Sequence, residues 1–116
     1  MNKRIEGSKW ETIAGQFLQR HGIKILQYNF RCRLGEIDIV GMDDGVLVFY
    51  EVKYRSTQKF GTAAEAVGSA KQRIIAKVSD YYRMVNHINW DTPIRYDVVA
   101  IQGNRIQLIP AAFMRG

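Results

Sequence analysis

The clearest pattern of apolar and polar positions lies in Gly35–Arg55, where two apolar, β-branched runs flank the dipeptide Asp44-Gly45. This arrangement predicts a β-hairpin with a tight type I′ turn, because Asp-Gly accepts the positive φ angles that such a turn requires. A two-residue loop fixes the antiparallel register and places Asp38 opposite Glu51. Like charges that face each other across strands destabilise the pair, so this position needs a stabilising partner.

The rest of the chain alternates between helical and strand periodicity. Apolar residues at helical spacing predict helices over Lys9–His21 and Ala63–His87. Extended apolar runs predict strands over Ile23–Cys32, Ile94–Gln102 and Arg105–Pro110, with the last residues as a short tail. The order is therefore α-β-β-β-α-β-β, which favours an α/β fold with a mixed central sheet of about five strands flanked by two main helices.

Composition adds limits on size, compartment and partner. With 116 residues the chain is expected to form a single domain over residues 1–116. No secretory signal or membrane-spanning segment is visible, and Cys32 alone cannot form an internal disulfide, so we expect a cytoplasmic protein without a membrane partner. The net charge of +6 suits a polyanionic partner such as nucleic acid.

Asp38, Glu51 and Lys53 are the first candidates for chemistry. Strand alternation places these side chains, with that of Glu36, on one face of the hairpin. Two carboxylates on a rigid frame suffice for Mg²⁺ or Mn²⁺, which keep several waters, and the carbonyl of Val52 could add a further ligand. A lysine beside such an ion can orient a nucleophile or stabilise charge on a phosphate. The alternative is a solvated face with weak Glu36–Lys53 and Glu51–Lys53 ion pairs.

Glu11 has two competing interpretations. Ser8 and Glu11 match the S-x-x-E capping box, in which Glu11 would bond to the amide of an N-cap Ser8. Glu11 also lies at the border of the apolar stripe of the first helix, from which it could reach the metal as a third carboxylate. One side chain cannot fill both roles at once.

Further polar residues could contact a nucleic acid. Lys71 falls on the apolar face of the second helix, so it either extends to the edge of that face or points at a buried anionic site. The remaining candidates for phosphate contact or base stacking are Gln72, Tyr54, Arg55 and Lys59. The last three could instead belong to a solvated connection after the hairpin. Asp97 lies in a strand that should be covered, where an ion pair with Arg95 or with Arg33 is the default and a metal-binding role is the alternative.

These motifs resemble a known family. GEIDIV, which contains Asp38, followed by Glu51-Val52-Lys53 resembles the split D…ExK signature of the PD-(D/E)XK nuclease superfamily. More closely, the chain resembles the YraN family of small bacterial proteins, which are similar to archaeal Holliday-junction resolvases. The resemblance covers nearly the whole chain, and its further elements are Glu11 with Ala14, Asn29 and Arg31, EVKYR, Phe60-Gly61, Lys71 and RYDVVAI.

The resemblance implies a restriction-endonuclease-like core and Mg²⁺-dependent hydrolysis of DNA phosphodiester bonds, in branched or otherwise structured DNA. In that case Asp38 and Glu51 are metal ligands, Lys53 is the catalytic lysine, Glu11 completes the site and Lys71 lies near the substrate. The chain departs from the family pattern at Trp10, where Gly is frequent, at Tyr54, where Thr is usual, and in lacking a Pro before Asp38.

Two other functions remain compatible with the same residues. One is a non-catalytic nucleic-acid-binding protein that retains the nuclease fold, and the other is a nuclease that acts on RNA. A symmetric substrate such as a four-way junction would favour a twofold homodimer.

Overall fold

The computed structural model describes residues 3–55 and 67–114, with side chains for 9–54 and 67–114. The elements along the chain are α1 (Lys3–Arg20), β1 (Lys24–Cys32), β2 (Gly35–Asp43), β3 (Val46–Arg55), α2 (Ser69–Val85), β4 (Ile94–Gln102) and β5 (Arg105–Phe113). This order confirms the α-β-β-β-α-β-β arrangement predicted from the sequence.

The described strands form one mixed sheet in the order β1-β2-β3-β4-β5. Neighbouring strands pair antiparallel except β3 and β4, which run parallel and are connected through α2. A parallel pair requires such a crossover, which is why a helix separates these two strands in the sequence. The α/β class and the mixed sheet are therefore confirmed.

The central hairpin has the predicted turn, and its strands follow the predicted register from the turn to Ile39; Asp38 and Glu51 lie beyond the last of these pairs. Asp44 and Gly45 have φ angles of 49° and 86°, as a type I′ turn requires. The ladder pairs Ile39 with Tyr50 and continues regularly to the turn. Beyond Ile39, the carboxylate of Asp38 accepts a hydrogen bond of 2.8 Å from the backbone N–H of Val52. The side chain of Asp38 thus connects β2 to β3 next to the point where the backbone ladder between the two strands ends.

One helix packs on each face of the sheet. Ala14 and Leu18 of α1 belong to one buried cluster, which also contains Tyr50 of β3. Val78 of α2 belongs to the other cluster, which contains Phe49. Because side chains alternate along a strand, Glu51 and Lys53 follow Phe49 on the α2 face. The helix that covers this face is therefore the one that can reach them.

Both helices differ from their predicted ends. Helix α1 begins at Lys3 rather than Lys9, because the apolar stripe used for the prediction does not extend into the mostly polar first turns. Helix α2 begins at Ser69, after Gly68 in an extended conformation (φ −65°, ψ 157°). Glycine disfavours the helical state, which accounts for this later start. The predicted helical residues 63–66 lie outside the described part of the chain.

Strand β5 continues to Phe113, although the sequence predicted a tail after Pro110. Two tertiary contacts explain the extension. The carboxylate of Asp97 accepts a hydrogen bond of 2.8 Å from the N–H of Ala111, and the ring of Phe113 stacks on Tyr96 with centroids 5.1 Å apart. Pro110 is tolerated because β5 is an edge strand.

The default role expected for Asp97 is confirmed. Its carboxylate, fully buried, accepts hydrogen bonds of 2.9 and 3.0 Å from the guanidinium of Arg95. Arg95 also donates to Asp43 at 2.8 Å, so one guanidinium joins β2 to β4. In the part of the chain that the structure describes, no helix is long and apolar enough to cross a membrane.

We expect Asp97→Ala to lower the free energy of unfolding by about 3–5 kcal/mol, because it leaves Arg95 and the amide of Ala111 without their buried acceptor. Chemical denaturation measures this change. Asp91→Ala, at an exposed carboxylate, is the matched control and should change stability by less than about 0.5 kcal/mol. Equal effects of the two substitutions would contradict a structural role for the buried network.

Candidate metal and phosphate site

A cavity of about 270 Å³ lies where the β2–β3 ladder ends. Four elements supply its walls: α1, β2, β3 and α2. The lining residues are Trp10, Glu11, Glu36, Asp38, Glu51, Val52, Lys53, Tyr54 and Lys71. The structure therefore brings together the three catalytic candidates, both further metal candidates, and Lys71 and Tyr54 of the nucleic-acid candidates.

Asp38 is positioned by its hydrogen bond to the N–H of Val52. Burial raises the pKa of Asp38 to about 6, and the negative charge of Glu11 adds to this shift, whereas the Val52 amide opposes it. Val52 thus contributes its backbone N–H to the site. The predicted role of its carbonyl as a metal ligand stays a prediction.

Glu51 is the most buried carboxylate of the cavity, with 5% of its side chain exposed. Its Oε1 lies 2.5 Å from Nζ of Lys71 and 3.8 Å from Nζ of Lys53. Burial raises the pKa of Glu51, as does the negative charge of Asp38, and the two lysines oppose that rise. Of the two interpretations of Lys71, the structure supports the one in which it points at a buried anionic site.

The capping interpretation of Glu11 is wrong. Ser8 lies within α1, which begins at Lys3, so it cannot be the N-cap residue. The Glu11 carboxyl instead hydrogen-bonds with the side chains of Asn29 and Asp38. Burial is the main cause of its raised pKa. Glu11 therefore faces the cavity beside Asp38.

The sequence analysis did not assign Asn29 or Trp10 to the site. Asn29 has a φ of 52°, and asparagine is one of the few residues that adopt this left-handed conformation readily. An asparagine within a predicted strand was the available signal, because asparagine is depleted in strands. Trp10 stacks on Tyr54 with ring centroids 4.0 Å apart and an interplanar angle of 12°. Local periodicity cannot reveal that contact, since the rings come from α1 and β3.

Gln72 and Glu36 have partners other than those predicted, and two further candidates stay predictions. The side-chain amide of Gln72 donates a hydrogen bond of 2.8 Å to the carbonyl of Val67, so it holds the start of α2 rather than lining the cavity. Glu36 accepts a hydrogen bond of 2.7 Å from Arg31 of β1. The side chain of Arg55 and the whole of Lys59 lie outside the described residues.

The donor chemistry of the cavity suits a hard divalent cation. Among the described residues, four carboxylates line the cavity (those of Glu11, Glu36, Asp38 and Glu51), against two ammonium groups. In residues 9–54 and 67–114, no three metal-ligating side chains are already grouped closely enough to hold an ion. Asp38 and Glu51 nevertheless offer the two carboxylates that a largely hydrated Mg²⁺ requires.

Fold and cavity together describe an α/β protein with paired carboxylates and lysines at the end of its central hairpin. The family model of the Uncharacterised protein family UPF0102 matches residues 10–101, which include all the cavity residues named above. The chain belongs to this family, as the resemblance to the YraN family predicted.

Relatives in several bacteria share most of the chain. It is 48% identical to a UPF0102 protein of Lachnoclostridium phytofermentans over 113 residues, which cover 97% of this chain and 96% of the relative. Identity to a UPF0102 protein of Photobacterium profundum is 44% over 104 residues, or 89% and 83% of the two chains. A UPF0102 protein of Caldicellulosiruptor bescii is 43% identical over 120 residues, covering 97% of this chain and all of the relative.

We expect Asp38→Asn to stabilise the protein by about 1–3 kcal/mol at pH 8, because a raised pKa means that the ionised carboxylate is disfavoured in the folded state. Asparagine keeps an acceptor for the Val52 amide and removes the repulsion from Glu11. The wild-type protein binds the proton more tightly when folded, so the difference should shrink as the pH falls through about 6 and vanish below about 4.

Thermal unfolding across this pH range measures the effect. Asp38→Ala serves as the control: it also removes the charge but leaves the Val52 amide without its acceptor, so it should be less stable than Asp38→Asn. A wild-type protein that is more stable than Asp38→Asn at pH 8 would contradict the prediction.

Proposed function

We propose that this protein is a metal-dependent endonuclease that hydrolyses phosphodiester bonds of DNA, with branched or structured DNA as the substrate to test first. The observation that carries the proposal is the convergence of Asp38, Glu51, Lys53 and Lys71 on one cavity. Carboxylates that can hold Mg²⁺ or Mn²⁺ thus lie beside ammonium groups that can bind a phosphate.

Charge distribution supports the same proposal. The chain as a whole carries a net charge of +6, whereas carboxylates outnumber lysines among the described residues of the cavity. A positive protein attracts a polyanionic nucleic acid, and a negative cavity attracts the cation that must accompany it.

Each residue has a distinct role in the proposed reaction. Asp38 and Glu51 would hold the cation, and the hydrogen bond from Val52 keeps the Asp38 carboxylate oriented. Glu11, beside Asp38, is a third carboxylate for the same ion. A bound Mg²⁺ would supply Lewis-acid chemistry at the phosphate and lower the pKa of an attacking water. Lys53 would stabilise the negative charge that develops on the phosphate.

Cleavage assays with Mn²⁺ test the proposal. Highly purified wild-type protein should cut a four-way junction or a plasmid, and a Glu51→Ala, Lys53→Ala double variant purified identically should be at least about 100-fold slower, because it loses a metal ligand and a charge-stabilising group. Equal trace activity in the two preparations would identify contamination and overturn the proposal. Matched DNA duplex and RNA substrates define the substrate class.

The second candidate function is a non-catalytic nucleic-acid-binding protein. It is favoured by the ion pair between Glu51 and Lys71, in which an ammonium already neutralises one of the proposed ligands. Calorimetric titration with Mn²⁺ distinguishes the two. A nuclease should bind the ion either alone or in complex with DNA, and the absence of binding in both states would favour the binding protein.

A further inference from the structure

One oxygen of Glu51 is the meeting point of two lysines. Oε1 lies 2.5 Å from Nζ of Lys71 and 3.8 Å from Nζ of Lys53. Glu51 and Lys71, the closer pair, differ in how far their side chains are free to move. Glu51 is 5% exposed on a central strand, whereas the side chain of Lys71 is 48% exposed in the first turn of α2. Any rearrangement of this pair therefore moves Lys71 and leaves Glu51 in place.

A divalent cation at Asp38 and Glu51 would compete directly with Lys71. Both are cations that require the same buried carboxylate, and like charges in adjacent positions repel each other. Lys53 is farther from the shared oxygen and only 26% exposed, on the same strand as Glu51. Lys71 is therefore the group that has to leave.

The departure of Lys71 does not require α2 to move. Ile75 and Val78 anchor the helix in the core, and the side chain of Gln72 bonds to the carbonyl of Val67 just before it. Rotation about the bonds of one long, half-exposed side chain is sufficient. An ammonium displaced in this way stays at the cavity, where the nearest anion of a bound nucleic acid is a phosphate.

We propose that Lys71 exchanges partners, leaving Glu51 when a divalent cation binds and then contacting a phosphate of the nucleic acid. This inference rests on the metal site of the proposed function and adds how that site is coupled to substrate. The Glu51–Lys71 ion pair opposes both ligands. A cation that binds Glu51 frees Lys71 to contact a phosphate, and a phosphate that binds Lys71 frees Glu51 to bind the cation. By thermodynamic linkage, each ligand must then raise the affinity for the other by the same factor.

The exchange makes an unusual prediction for the protein without nucleic acid. Lys71→Gln removes the competing charge, so we expect Mn²⁺ affinity to rise by roughly tenfold in calorimetric titration. Lys71→Arg keeps the charge and binds carboxylates in a fork geometry, so it should lower Mn²⁺ affinity. Lys77→Gln, at an exposed lysine of the same helix, is the matched control and should leave the affinity unchanged.

Nucleic-acid binding gives the second readout. With Ca²⁺ as the probe cation, wild-type affinity for a short DNA duplex should increase on addition of the ion, and this increase should be smaller for Lys71→Gln than for Lys77→Gln. Mn²⁺ affinity that falls or stays constant in Lys71→Gln would overturn the exchange while leaving the metal site intact. A failure of every variant to bind Mn²⁺, with or without DNA, would instead overturn the metal site and the exchange together.

Discussion

The hydrogen bond between the Asp38 carboxylate and the Val52 amide is the interaction on which the site depends. It forms next to the end of the backbone ladder between β2 and β3, so a side chain bonds to the neighbouring strand where the regular pairing stops. Val52 fixes the orientation of Asp38, and Glu51 and Lys53 flank Val52 along the strand. The contact therefore holds Asp38 against the segment of β3 that carries Glu51 and Lys53.

The site also places buried carboxylates close together, which is unfavourable unless nearby lysines offset their charges. Burial raises the pKa values of Asp38, Glu11 and Glu51. The negative charge of Glu11 adds to the rise at Asp38, and that of Asp38 adds to the rise at Glu51, whereas Lys71 lowers the pKa of both groups. An assembly of this kind is maintained at the expense of stability, which is typical of sites selected for binding or catalysis rather than for packing.

Local patterns predicted the parts of the molecule that depend on local physics. The Asp44-Gly45 sequence predicted the positive φ angles of the turn. The alternation of side chains along a strand then predicted that Glu51 and Lys53 lie on one face of the sheet. The element order followed from periodicity. Three features could not be predicted in this way: the start of α1, the extension of β5 to Phe113 and the Trp10–Tyr54 stack. The first lies in mostly polar turns without a repeating apolar stripe, and the other two depend on contacts between distant segments.

The parallel pairing of β3 with β4 has a consequence for how the site assembles. Val52 pairs with Val99 only after the chain has crossed the sheet through α2, and that same helix delivers Lys71 to Glu51. Contacts between residues far apart in the sequence form slowly, because a long loop must be closed before they gain any stabilisation. A nascent chain that ends before α2 therefore lacks Lys71 and carries an incomplete cavity, in which Lys53 is the lysine beside Glu51.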